Sequence, residues 1–215
     1  WLWLVGVLFS LAVITEYPIV PGLAIIFIWA VYKMPNRLAL YRVVLGALPL
    51  GLLFVGFNYM AFQTIIPVGY KYSTNWQGEH QSGFLSLQLP SLDNVVRLYG
   101  LTFSPVRGIF ITSPFLLLAI WGFYLMWKQH KEKRGAIAAI GLFVAYFFFY
   151  NSSSVMWWGG FTIGPRYLIP MLPFLVLPII FAFNKLLPKL WGKVLVTVLI
   201  AISVFSVWGM NIAGQ

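Results

Sequence analysis

"LALYRVVLGALPLGLLFVGFNY", Leu38–Tyr59, carries a single charge, Arg42, in an otherwise apolar run. A helix needs roughly 20 apolar residues to cross the ~30 Å hydrocarbon core of a bilayer, so this stretch reads as a transmembrane span. Six further apolar runs resemble it, at 1–15, 18–32, 109–127, 135–150, 166–183 and 194–209. The composition agrees. Hydrophobic residues make up 61% of the 215-residue chain and charged residues 8%, where a soluble domain would hold about 25% charged residues. The expected fold is an all-α polytopic membrane protein with about seven transmembrane helices and one long extracytoplasmic loop.

The charges between the runs orient it. Lys33, Arg37 and Arg42, then Lys128, Lys131, Lys133 and Arg134, then Lys185, Lys189 and Lys193 fall on one side. Lys71, Arg97, Arg107 and Arg166 fall on the other, with Glu16, Glu79 and Asp93. Loops rich in Lys and Arg stay in the cytoplasm. Residues 33–37, 128–134 and 184–193 are therefore expected to be cytoplasmic, and 60–108 and 151–165 extracytoplasmic, in a multi-pass plasma-membrane protein. The net charge of +10 is then largely a topology signal, and nucleic acid is excluded as a partner. The chain has no cysteine, which removes disulfides and thiolate metal sites.

A single transmembrane domain, 1–215, follows: three spans in 1–59, the loop 60–108 and four spans in 109–215. Connections usually run to about 4–6 residues, so the loop is unusually long. Inside it, Ser91 before "LDNVVRLYG" predicts a short helix with Ser91 as N-cap and Gly100 as stop. Leu92, Val95, Val96 and Tyr99 share one face, so this helix is expected to lie on the membrane surface. The chain opens on Trp1, already within an apolar run, and is expected to be a piece of a longer chain.

The run after "TEYP", Thr15–Pro18, is short. From Pro18 to Tyr32 it reaches only ~23 Å at 1.5 Å per residue. If it spans, Glu16 sits in a recess below the surface, where an acid is costly and by default functional. The simpler alternative is a hairpin turn with Glu16 at headgroup level. Arg107 in "SPVRG" and Arg166 in "GPRYL" each stand at the outer end of an inward-running span, against the charge bias. A guanidinium forks onto phosphate, so the pair could form a phosphate clamp; the alternative is snorkelling to the headgroups. Trp157 and Trp158, with Tyr146 and Tyr150 nearby, read most simply as an interfacial belt. Their competing reading is a stacking platform for sugar rings. Glu79 and His80 make a poor metal site by themselves and suit loop polarity or acceptor contact. Pro165, Pro170, Pro173 and Pro178 break the sixth span, as in transporters. "NSSS", Asn151–Ser154, matches an N-glycosylation acceptor pattern.

Taken together, "TEYP", "LTFSPVRGIFITSPFLLLAIWGF" and "WWGGFTIGPRYLIPMLPFL" resemble bacterial membrane glycosyltransferases of the GT-C superfamily, the mannosyltransferase-like group near the protein O-mannosyltransferases. The resemblance implies a multi-span enzyme that transfers a sugar from a polyprenyl-phosphate donor to an acceptor on the extracytoplasmic side. Its members carry a catalytic carboxylate in a first outer loop that this chain does not show. The chain therefore resembles the later, C-terminal portion, and whether that portion is active alone stays open. Within it, Glu16 is the candidate catalytic base, and Arg107, Arg166 and Lys71 the candidate phosphate ligands. Trp157, Trp158, Tyr167, Glu79 and His80 are the candidate sugar or acceptor contacts. No cofactor and no metal site are called for. The partners expected are the bilayer and the lipid-linked sugar. A transporter or lipid flippase is the alternative, and a non-catalytic scaffold a further one.

Overall fold

In hydrocarbon, every backbone N–H and C=O must be satisfied within the chain, and helices do this segment by segment. The computed structural model follows that rule. It describes residues 1–66, 69–72, 91–154, 156–160 and 164–213, apart from the side chains of 70 and 71. Its described residues are helical nearly throughout. Four helical stretches among them are long and apolar enough to cross a membrane: Arg37–Phe62, Lys131–Ser153, Arg166–Leu186 and Leu190–Ala213. Leu2–Thr15 and Tyr17–Lys33 are apolar but shorter. The chain divides into two units, Trp1–Leu87 and Gln88–Gln215.

The first unit holds α1 (Leu2–Thr15), α2 (Val20–Lys33) and α3 (Tyr41–Phe62). Glu16 leaves the helical region at φ −151° and ψ 86°, and a 3-10 turn, Tyr17–Ile19, starts the return. Pro18 falls in the first turn of that segment, where a missing N–H removes no internal bond. α1 packs along α3 through small residues. Gly6 lies against the backbone of Val43, and Ser10 donates from Oγ to the Ala47 carbonyl at 2.9 Å.

The second unit holds α4 (Leu92–Thr102), α5 (Ile109–Thr112), α6 (Leu117–Gln129), α7 (Arg134–Ser153), α8 (Leu172–Leu186) and α9 (Leu190–Ala213). The stretch expected as one span over 109–127 is broken. Ser113 takes φ −137° and ψ 68°, and a 3-10 turn, Pro114–Leu116, separates α5 from α6. The cause is local: the ring of Pro114 pushes the residue before it out of the α region. The Phe115 N–H, displaced from the helical ladder, donates to Ser203 Oγ at 3.3 Å, while Ser203 donates to the Leu199 carbonyl at 2.7 Å. A polar side chain on α9 thus completes the interrupted helix.

The proline-rich span, by contrast, runs on without leaving the helical region, with Met171 at φ −84° and ψ −19°. Arg166–Met171 is 3-10, α8 follows, and Pro178 lies inside α8. α6 packs on α8 at that point, with Gly122 against the Pro178 carbonyl. The core between α7 and α8 is aromatic, with the Phe143 and Phe174 ring centroids 4.2 Å apart. Phe143 and Phe147 are fully buried.

α4 begins where expected. Ser91 donates its N–H to Asn94 Oδ1 at 2.9 Å, one half of a capping box. It does not stop at Gly100: the helix continues to Thr102. Gly100 is buried within it because the ring of Trp157 occupies the space a Cβ would fill. The faces of α4 are inverted relative to a soluble helix. Leu92 is 87% exposed and Val96 68%, while Asn94, Arg97 and Gly100 face protein. An exposed apolar stripe of this kind suits hydrocarbon rather than water.

Candidate functional site

Polar groups of the second unit gather where α4, the end of α7 and residues 156–160 meet. Asn151, Ser152, Ser153 and Ser154 are all buried, so they need internal partners. Asn94 supplies several: its Nδ2 donates to the Ser152 carbonyl at 3.2 Å and to Ser153 Oγ at 2.8 Å. Arg97 donates to the Ser154 carbonyl at 3.3 Å. Asn151 donates to the Phe147 carbonyl at 2.7 Å and to the Tyr167 carbonyl at 3.4 Å. Its Oδ1 has no partner among the described residues. Asn151 therefore joins the end of α7 to the residue beside Arg166, and its burial makes the acceptor pattern at 151–153 unusable for glycosylation.

Arg107 follows α4 and turns onto residues 156–160. Its guanidinium donates to the Trp158 carbonyl at 2.7 Å and to the Gly160 carbonyl at 3.2 Å. Both carbonyls project from a loop that Gly159 and Gly160 shape with φ of 80° and 75°, a region glycine enters without strain. Arg107 is thus a tether for this loop. Trp157 packs on Gly100 and meets Trp158 edge to face at 6.2 Å, so both indoles are half-buried packing groups.

Arg166 is presented differently. Its N–H donates to the Gly164 carbonyl at 3.1 Å across Pro165, whose φ of −84° and ψ of 82° make an inverse γ-turn. The side chain is exposed. Its guanidinium lies 5.0 Å from the centre of the Tyr167 ring and donates to Tyr167 Oη at 3.2 Å. It borders a cleft of about 140 Å³ whose wall includes Thr112, Ser113, Gly164, Val207 and Met210. A cation and two hydroxyl-bearing residues around a space for a few heavy atoms suit a small anion. Arg107 is not in that wall.

The other candidates divide simply. Glu16 belongs to the first unit, at the end of α1, where its carbonyl accepts from Ile19 N–H at 3.0 Å. Lys71 falls in the 3-10 turn Gly69–Tyr72, but its side chain lies outside the described residues, as do Glu79 and His80. Among the described residues no cluster of His, Asp and Glu suits a metal. Asn94 was not singled out from sequence, and Asn151 was noted only for its glycosylation pattern, although the two organise the region. Their signal is faint: asparagine at a helix start, and asparagine before a serine run at a span end.

A second space lies under α4. An apolar groove of about 770 Å³ runs between α4, α6 and α7. Comparison of the chain with protein-family models, with curated proteins and with solved structures finds no match.

Proposed function

We propose that this chain is part of an integral-membrane glycosyltransferase that takes a sugar from a polyprenyl-phosphate donor on the extracytoplasmic side. The cleft at Arg166 carries the reading. In such a transfer the acceptor hydroxyl attacks the anomeric carbon, the bond from that carbon to the phosphate oxygen breaks, and the lipid phosphate departs with the electron pair. Negative charge grows on that phosphate, and a cation placed beside it stabilises it. Arg166 supplies the cation, with Ser113 in the wall of the same cleft; the Thr112 hydroxyl is turned to the Ile109 carbonyl at 3.4 Å. Arg107 acts one step away, holding the 158–160 backbone that leads into Gly164. The acceptor's proton goes to a carboxylate.

The resemblance of "WWGGFTIGPRYLIP" to GT-C enzymes and the positive-inside bias support the same assignment. A transfer assay with the full gene product and radiolabelled polyprenyl-phosphate sugars tests it. The expected result is sugar transfer that falls roughly 100-fold or more in Arg166→Ala. Movement of the labelled lipid across the membrane without transfer would make the protein a flippase instead. Wild-type rates in Arg166→Ala would remove the phosphate role.

A further inference from the structure

The groove under α4 is separate from the Arg166 cleft: among the described residues the two share no wall residue. Its wall is aromatic and aliphatic along most of its length, with Phe110, Phe123, Val144 and Phe148 among the lining groups. Three polar residues also line it, Asn94, Thr102 and Ser152. Their donor hydrogens are already engaged, Thr102 with the Leu98 carbonyl at 2.7 Å and Ser152 with the Phe149 carbonyl at 3.0 Å. Asn94 is held by Ser153. These groups therefore call for no particular headgroup.

Length decides among occupants. From Ser152 to Gly141 the groove follows α7 for about 16 Å at 1.5 Å per residue, roughly half of the ~30 Å hydrocarbon core. That is the depth of one leaflet. The roof is α4, whose apolar face is exposed, so bilayer lipid reaches the groove from the side. We infer that the groove binds one acyl chain of a bilayer phospholipid, selected by its hydrocarbon and not by its headgroup. A polyprenyl tail would overrun a groove of one-leaflet depth.

Gly141 gives a clean test, because a Cβ built there meets nothing within 4 Å. Gly141→Phe puts a ring into the groove without displacing its walls, and replacing a helix-interior glycine favours the helix. The chain purified in detergent is titrated with palmitoyl-oleoyl phosphatidylglycerol, with the matching phosphatidylethanolamine and with a polyprenyl phosphate, and bound lipid is counted by native mass spectrometry. The expected result is one retained phospholipid, with similar affinity for both headgroups, weakened roughly tenfold or more in Gly141→Phe through loss of a few buried methylenes. Val204→Phe, on an exposed position of α9, should bind as wild type, and circular dichroism should show equal helix content in all three proteins. Equal retention by wild type and Gly141→Phe would overturn the inference. So would a polyprenyl phosphate displaced by Gly141→Phe with no phospholipid retained, which would make the groove the donor's own.

Discussion

Arg107 donates from one guanidinium nitrogen to the carbonyl of Trp158, 51 residues further along the chain, at 2.7 Å. The contact fixes a loop shaped by left-handed glycines and leading to Arg166. Two arginines with similar sequence surroundings thus have different work: Arg107 holds backbone, and Arg166 borders a cleft.

That difference separates their variants. Arg107→Ala should lower stability by about 2 kcal/mol, the scale of hydrogen bonds from a charged donor, and increase protease cutting near 157–164. Arg107→Lys should recover part of it, since an ammonium keeps the charge and the donors but lacks the pre-organised planar guanidinium. Thermal unfolding in detergent and limited proteolysis read both effects. Unchanged stability in Arg107→Ala would contradict the tether.

Gly100→Ala sets two effects against each other. Helix propensity alone favours alanine by about 1 kcal/mol. The added Cβ, however, would fall 2.5 Å from the Trp157 ring, and overpacking costs about 1–3 kcal/mol. Net destabilisation is expected, and Trp157→Leu in the same chain should relieve it. A double-mutant cycle by thermal unfolding measures the coupling; a stabilised single variant would refute the packing.

α4 can be placed in the bilayer directly, because the chain has no native cysteine to confuse labelling. Nitroxides at Val95→Cys and Val96→Cys should be more accessible to oxygen than to a water-soluble nickel chelate. Asp93→Cys should show the reverse. Equal nickel accessibility at all three positions would mean that the apolar stripe faces water.

Asn94 is expected to be the most sensitive polar residue of α4. Asn94→Ala removes a cap and two donor bonds, and about 2 kcal/mol should be lost. Asn94→Asp keeps the acceptor for the Ser91 N–H and loses the donors to Ser152 and Ser153, so its unfolding temperature should lie between the two. An Asn94→Ala protein that melts with wild type would show that the bridge is idle.

Much of this architecture was legible in the sequence because hydropathy is local. Leu38–Tyr59 falls within the helical stretch Arg37–Phe62, and Ser91 caps α4. What stayed hidden depends on partners distant in sequence. Gly100 reads as a helix stop until Trp157 is seen occupying its missing side chain. The bonds from Arg107 to the Trp158 and Gly160 carbonyls were not legible, because every residue carries a backbone carbonyl. The break at Ser113 was available from Pro114 alone, but a continuous apolar run masked it. The full burial of Asn151 was not legible either, since burial at a span end comes from neighbours such as the Arg166–Met171 turn.

The central claim is that Arg166 holds the phosphate of a lipid. Binding of a polyprenyl phosphate and of the corresponding uncharged polyprenol, compared in wild type and Arg166→Ala, isolates that charge from the hydrocarbon. The account predicts that wild type prefers the phosphate by roughly 10- to 100-fold, the range of one charge-assisted contact, and that Arg166→Ala loses the preference while still binding the alcohol. An Arg166→Ala protein that keeps the full preference for the phosphate would contradict it.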